Sequence, residues 1–522
     1  MTVAMPLRPR LRDELRIVET ASEGVGDVRD DAPVQLLDPA TGRRMHLSAA
    51  QRQAFALFDG TRDVLALAHG LAAQDIEADV DDVAALVRDA AALDLLAESD
   101  PARDGERVAA RRARRRRALD QALDHALAQV LRLACTIPAF AAAVRAAEID
   151  EPRQWLAAVP SFDKAGLRAS FPDRLLPDGR DAEALYVRRS SGTASEGVQS
   201  FREPDEDAQQ DDRLWTMAAF VGGAMGVRFT TRQCTGGACP LPSLDAGGPR
   251  HRVHEGTLWL DLRDDAWSLQ AWELDAIDDA IRGAAPTHFG ADAAYLARWV
   301  HHVRARGRTL PRVRHVQTGF ADTCAIHRGV LRRAFGCPVI DVLSSSELGL
   351  VAVECSAGHH HVLEPLLLAE VLTPTRPGTA RDDRPVAPGE LGELVLTTVA
   401  RREAPLLRYR TGDLVRALPG PCPCGAAEQA LQLEGRARDV LWLAQGPVTS
   451  RAIDRAIGDD QALLHYQLQQ REPDRFELRA IGNAEGAAAR LSALLGAPVR
   501  ARSVTRIAAE ASGKYAYVRP LT

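Results

Sequence analysis

Three observations predict a multi-domain α/β protein with a winged-helix-like domain in front and a small α+β unit behind. The chain is 522 residues long, more than one hydrophobic core usually serves, so at least two domains are expected. From residue 107 to about 430, helical patterns alternate with short apolar runs such as Val313 to Gln317 and Pro338 to Leu343, which predicts α/β layering. The final ninety or so residues read as a compact βαββαβ unit.

Composition narrows the functional classes. Apolar residues make up 46% of the chain and charged residues 26%, the balance of a packed globular protein rather than a disordered one. The formal charge of −6 gives no global attraction to nucleic acid or to an anionic membrane, so neither partner is expected. No apolar run reaches bilayer-spanning length, and the start M-T-V-A-M-P-L-R-P-R lacks the apolar core of a signal peptide; a cytoplasmic protein is expected. Eight cysteines, sparse and unevenly spaced, suit thiols or a metal site better than a disulfide framework.

In chain order, residues 1–30 form an N-terminal extension and residues 34–47 (V-Q-L-L-D-P-A-T-G-R-R-M-H-L) a hairpin around the turn from Asp38 to Gly42. Ser48 caps a helical pattern through Phe55, Leu57 and Phe58, which Gly60, Thr61 and Arg62 break. A second pattern follows through Val64, Leu67 and Leu71, and a third through Val80, Val83 and Val87. Residues 31–98 are thus one winged-helix-like domain. Its stretches D-P-A-T-G-R-R-M-H-L-S, L-F-D-G-T-R-D-V and V-R-D-A-A-A-L-D-L-L resemble the PqqD-like chaperone of pyrroloquinoline quinone biosynthesis and related elements that recognise the leader of a ribosomal precursor peptide. That resemblance implies a precursor or leader peptide as partner, added as a strand to the hairpin edge. The rival reading, a DNA-binding winged helix, is disfavoured by Asp75, Glu77, Asp79, Asp81 and Asp82 on the later helices. Residues 99–106 are a linker by composition, and the arginine-rich run from Arg111 to Arg117 reads as a solvated helical face.

Short motifs in the remainder carry chemistry. R-S-S-G-T-A-S-E-G, from Arg189, offers the hydroxyls of Ser190, Ser191 and Thr193 and the backbone around Gly192 to phosphate oxygens. D-V-L-S-S-S-E-L-G, from Asp341, places Ser346 and Glu347 at a strand end, where magnesium on a nucleotide needs a hard oxygen ligand. In L-L-R-Y-R-T-G-D-L, Asp413 sits on a Thr-Gly turn as a carboxylate able to accept from both ribose hydroxyls. L-E-G-R-A-R-D-V-L-W follows it, and A-S-G-K-Y-A-Y-V-R ends the chain with Lys514 on a Gly turn. Separately, Cys422-Pro423-Cys424-Gly425 is a knuckle suited to one tetrahedral ion, and Cys355 with His361, or with His359 or His360, has spacing for two more ligands.

In this order, and with V-P-S-F-D-K-A-G-L-R from Val159, the motifs resemble the adenylate-forming superfamily over residues 107–522, most closely its phenylacetate–coenzyme A ligase-like branch. The resemblance implies a large adenylating domain (107–432), a mobile C-terminal lid (433–522), ATP and Mg2+ as cofactors and a structural Zn2+ on Cys355, His361, Cys422 and Cys424. It implies that Ser190, Ser191, Gly192 and Thr193 embrace the triphosphate, Ser346 contacts phosphate and Glu347 holds magnesium. Asp413 and Arg436 would hold the ribose, Arg438 would mark the hinge, and Lys514 would reach the carboxylate and α-phosphate. Ala194, Ser195 and Glu196 replace the usual Thr-Gly-Lys of the phosphate loop, Leu343-Ser344 an expected Tyr-Gly, and Gly319-Phe320 an expected Gly-Glu.

The expected activity is activation of a small carboxylic acid or a peptide carboxylate as an acyl-adenylate, with transfer to a nucleophile during tailoring of a ribosomal peptide. A conventional acyl-coenzyme A ligase and a catalytically degenerate peptide-binding scaffold are the alternatives. Phe220 to Met225 and Thr287 to Tyr295 are candidate regions for the acid pocket, and Cys234 with Cys239 is read as an unliganded pair.

Overall fold

The computed structural model describes residues 11, 15–19, 34–38, 43–47, 49–58, 64–72, 76 and 80–92, then 101–522 except 178, 181, 190–196, 208, 211–225, 232–250, 255–256, 263–264, 314, 320, 377, 511–512 and 522. Two compact units divide the chain, one of residues 1–120, 212–224 and 421–428, the other of 121–211, 225–420 and 429–522.

The first unit opens with β1 (Arg16–Glu19), β2 (Val34–Asp38) and β3 (Arg43–Leu47), then α1 (Ala49–Ala56), α2 (Val64–Ala72) and α3 (Val80–Ala92). The predicted hairpin is present, with Leu36 opposite Met45, and the three helices follow where their apolar spacing places them. β1 is additional: it pairs antiparallel with β2, which leaves β3 at the other edge of the order β1-β2-β3. Leu36, Leu47, Phe55, Phe58, Leu67, Val83 and Val87 make its core. The capping residue Ser48, the break at 60–62 and most of the 38–42 turn lie outside the described residues.

Two readings of the next segment are corrected. The expected linker enters a long helix, α4 (Pro101–Ala134), at its third residue. The arginine-rich run on α4 is not merely a solvated face: Arg112 donates to the carbonyl of Cys422 at 3.1 Å, Arg116 to that of Ala427 at 3.2 Å, and Arg115 lies 3.7 Å from Glu428.

The second unit holds a hairpin of β4 (Tyr186–Arg189) and β5 (Gln199–Arg202) and a twelve-stranded sheet. The sheet's strands are β6 (Gly226–Thr231), β7 (His251–His254), β8 (Thr257–Leu262), β9 (His288–Ala291), β10 (His315–Thr318), β11 (Val339–Ser345), β12 (Gly349–Glu354), β13 (His360–Val362), β14 (Leu367–Leu372), β15 (Gly392–Thr398), β16 (Tyr409–Ala417) and β17 (Ala430–Arg436). Their order is β14-β15-β16-β17-β13-β12-β11-β10-β9-β6-β8-β7. Pairing from β11 through β10, β9 and β6 to β8 is parallel, and from β12 to β14 antiparallel, so the pairing changes sense at the β11–β12 turn. The turn between those strands is residues 346–348, and it carries Glu347.

After β17 come a short hairpin, β18 (Leu441–Leu443) with β19 (Gly446–Val448), and a four-stranded sheet of β20 (Leu463–Glu472), β21 (Arg475–Gly482), β22 (Val499–Ser503) and β23 (Val518–Arg519), ordered β22-β21-β20-β23. The expected βαββαβ unit is modified: its first strand pairs only with β19, and β23, which precedes the chain's end, takes the place beside β20. Residues of this region, including Leu441, Ile453, Tyr466, Leu478 and Leu491, share one core with Phe289, Trp299 and Leu331. A second core packs residues 123–201 against the antiparallel half of the large sheet. No helix among the described residues is long and apolar enough to cross a membrane.

Candidate active site

Asp413 lies on β16, opposite Arg436 of β17. The expected Thr-Gly turn is instead a kink within the nine-residue strand: Gly412 adopts φ +76°, a conformation that glycine reaches without a Cβ penalty. The Asp413 amide donates to the Thr411 hydroxyl at 3.0 Å, and the Asp413 carboxylate meets Arg436 Nε at 3.0 Å. Asp413 is 8% exposed, and its charge holds the Arg436 guanidinium above its ordinary pKa. Both flanking arginines of the motif are structural. Arg408 pairs with Glu370 at 3.0 Å and donates to the carbonyl of Ala157 at 2.9 Å; Arg410 pairs with Asp383 and Glu393 and donates to the Ser161 hydroxyl at 2.8 Å.

Those bonds dock residues 157–163 on β16, with Phe162 bridged to Tyr409. Asp163 accepts from the Gly166 amide and so caps the helix Lys164–Ser170, which delivers Lys164 to within 3.7 Å of a Glu347 oxygen. Glu347 is 2% exposed, and its Oε1 accepts from the Tyr409 hydroxyl at 3.2 Å. Burial, followed by the Glu347 charge, raises the Tyr409 phenol well above its usual range, so it stays a donor. Sequence reasoning assigned no role to Lys164 or Tyr409, although both lie inside quoted motifs; their partners stand 183 and 62 positions away.

Lys514 is brought to the same place. Burial lowers its pKa first, and Arg436, Asp413, Lys164 and Asp322 all lie near enough for their charges to act on it. Asp322, another residue the motifs did not reveal, is buried and raised above the usual carboxylate range. Burial also pushes Asp292 up to about 6, against the opposing charge of Lys514. Tyr515, next in sequence to Lys514, donates to Asp265 at 2.8 Å and accepts from the Ala266 amide at 2.9 Å. From the helix Ser450–Ile457, Asp454 accepts from the Ala325 amide at 2.9 Å and from the Tyr466 hydroxyl at 3.0 Å. Together these contacts hold the end of the chain against the large sheet.

Arg438 lies in the short helical turn Ala437–Asp439 and pairs with Glu510 at 3.1 Å; neighbouring Asp439 is pushed up to about 7 by burial. Ser346 stands in the β11–β12 turn beside Glu347. Ser190, Ser191, Gly192 and Thr193, the altered residues 194–196, Phe320, the region 220–225 and the pair Cys234 and Cys239 lie outside the described residues; β4 and β5 flank the first of these loops.

Cys422 and Cys424 lie in the first unit and Cys355 and His361 in the second; three thiols and an imidazole are a donor set of the kind that tetrahedral zinc takes. On β13, His360 turns to Asp341 at 3.0 Å, so strand alternation turns His361 to the opposite face. All six described cysteines are free of disulfides.

No family model matches the chain. It is 31% identical over 169 residues to phenylacetate-coenzyme A ligase of Escherichia coli (strain K12), covering 29% of this chain and 37% of that protein. It is 33% identical over 110 residues to the enzyme of the same name from Thermus thermophilus, covering 21% and 23%. The chain thus spans well under two thirds of the length of either relative. Among solved structures, 2-hydroxyisobutyryl-CoA ligase in a postadenylation state with R3-HIB-AMP matches 78% of this chain and 90% of its own, at 17% identity and a TM-score of 0.59. The fold is that of the adenylate-forming ligases. A second structure of that ligase, with 2-HIB-AMP, agrees at a TM-score of 0.57 and 16% identity. In this chain the fold brings Asp413, Arg436, Glu347 and Lys514 near enough for their charges to act on one another.

Proposed function

We propose that the chain is an AMP-forming ligase: it joins a carboxylic acid to ATP as an acyl-adenylate, releases pyrophosphate and passes the acyl group to a nucleophile. The observation that carries this reading is the convergence of Lys514 on the Asp413–Arg436 pair in a chain of this fold. A carboxylate oxygen attacks the α-phosphorus, and the bond from that phosphorus to the pyrophosphate oxygen breaks. The approach joins two anions, and a cation held between them lowers the barrier; Lys514 is that cation. Asp413 accepts from the ribose hydroxyls and is oriented by Arg436. The Ser190–Thr193 loop and Ser346 take the phosphates. Glu347 is a buried hard-oxygen ligand, suited to Mg2+, which binds through one or two carboxylates together with phosphates and would neutralise their charge. Cys355, His361, Cys422 and Cys424 would hold Zn2+ as a structural ion, because four protein ligands leave no open position. Arg438 marks the hinge about which residues 433–522 turn between half-reactions.

Residues 31–98 recognise a precursor peptide, adding it as a strand at the β3 edge, and so raise its concentration beside the adenylate. On this reading the peptide is acceptor or activated acid in ribosomal peptide tailoring. The relatives named as phenylacetate-coenzyme A ligases favour a second reading, coenzyme A as acceptor. Glu196, where the phosphate loop usually has lysine, is the feature that favours a degenerate scaffold. To separate them, ATP and a panel of acids are incubated with coenzyme A or with candidate precursor peptides, and products are identified by mass. Peptide amide or ester supports the tailoring reading; thioester formed without peptide replaces it with the second; absence of adenylate with every acid leaves the scaffold.

A further inference from the structure

A buried charged cluster behind Glu347 is not used by the chemistry described above. Arg401 chelates Glu206 through Nε at 3.1 Å and Nη2 at 3.0 Å, and Arg202 Nε approaches the same carboxylate at 3.0 Å. Gln210 joins them, donating to Glu206 at 3.3 Å. Arg202, Gln210 and Arg401 are each 3% exposed and Glu206 is 8% exposed. Burying two arginines and a glutamate is expensive in solvation, and a well-packed apolar cluster would usually be at least as stable. Stability alone is therefore a poor account of it.

Three further hydrogen bonds of the cluster reach the backbone between Glu347 and Leu350, while Arg202 also donates to Asp207 and Gln210 and the Glu203 amide donates to Glu206. Arg401 Nη2 donates to the Glu347 carbonyl at 2.6 Å. Gln210 Nε2 donates to the Leu348 carbonyl at 2.7 Å, and its Oε1 accepts from the Leu350 amide at 2.8 Å. Gly349 follows the turn at φ +71°, and a Cβ there would sit 2.1 Å from Gln210 Oε1 and 2.3 Å from an Arg202 nitrogen. Arg202 is also the last residue of β5, and Arg188 of β4 reaches the neighbouring Asp207 at 2.7 Å. One network therefore grips the hairpin that flanks the Ser190–Thr193 loop and, at the other end, the backbone of Glu347.

We infer that Arg401 and Gln210 are positioning residues that fix the turn bearing Glu347, and with it the carboxylate that would be offered to a nucleotide-bound Mg2+. The inference rests on the proposed ATP site and adds to it a way of aiming the metal ligand: Tyr409 holds the carboxylate end and Arg401 the carbonyl end of the same residue. Outer residues of this kind, when removed, typically cost about tenfold to a hundredfold in metal affinity.

The test is calorimetric titration of ATP into the full chain with and without Mg2+, for wild type, Arg401→Met, Arg401→Lys and Gln210→Leu. Wild type is expected to bind ATP more tightly with Mg2+. Arg401→Met and Gln210→Leu should lose about tenfold or more of that gain while Mg2+-free affinity stays within about twofold, and Arg401→Lys should recover part of it. Glu206 keeps Arg202 as its partner in the Arg401 variants, and Gln210→Glu, which retains the acceptor for Leu350, replaces Gln210→Leu if that variant does not fold. Folded variants showing the full wild-type gain overturn the inference alone, as does Mg2+-independent ATP binding by wild type. A wild-type chain that binds no ATP overturns the proposed function with it.

Discussion

Asp413 is buried, Arg436 is half-buried and the two are held together at 3.0 Å, so removing Asp413 takes from Arg436 its strongest counter-charge. Asp413→Ala is expected to raise the ATP concentration for half-maximal adenylation about tenfold to a hundredfold, the range for hydrogen bonds to a charged group, and to lower thermal stability by taking away that counter-charge. Titrating ATP in the exchange reaction measures the first, and a melting curve the second. Asp413, Glu347 and Lys514 were singled out because each lies in a short contiguous motif whose residue types match the expected chemistry. Tyr409 and Lys164 stood in the same motifs, but their importance comes from a partner brought near by folding. Arg401 was invisible for the same reason, since its partner Glu206 is 195 positions away.

At the scale of elements, periodicity placed the helices and most strands, and it failed where a local exception mattered. Thr411-Gly412-Asp413 has turn composition but continues as strand, because neighbours on both sides pair with β16 and one positive-φ glycine absorbs the kink. The helix Ser450–Ile457 docks through Asp454, whose carboxyl burial pushes from 3.8 up to about 6. With a raised folded-state pKa, the folded chain holds more protons than the unfolded one between those values. The stability is therefore present below about pH 4 and is lost as pH rises through about 6, by about 3 kcal/mol. Asp454→Asn removes that titration. Relative to wild type it should gain about 3 kcal/mol on going from pH 4 to pH 7, read from denaturant midpoints, and an unchanged difference would contradict the assignment. The cysteine knuckle is a second testable element: Cys424→Ser should drop bound zinc from about one ion per chain to well below it and lower the melting temperature, by metal analysis and a thermal scan.

For the whole molecule, the sequence predicted a multi-domain α/β protein, and the fold is mixed α/β in two compact units. What it left out is the joining of parallel and antiparallel strands into one twelve-stranded sheet, whose order depends on contacts between distant segments and not on any local period. The docking of the last ninety residues was equally hidden: their core is continuous with that of the parallel strands, and only this closeness carries Lys514 to Asp413 and Arg436. Adenylation therefore depends on Lys514, and exchange of labelled pyrophosphate into ATP reads that dependence. With the matching acid or peptide present, wild type should catalyse exchange, and Lys514→Ala should reduce it about a hundredfold to a thousandfold while still binding ATP. Exchange that survives intact in Lys514→Ala would exclude the lysine from the step, and none in wild type with any acid or peptide would exclude adenylation.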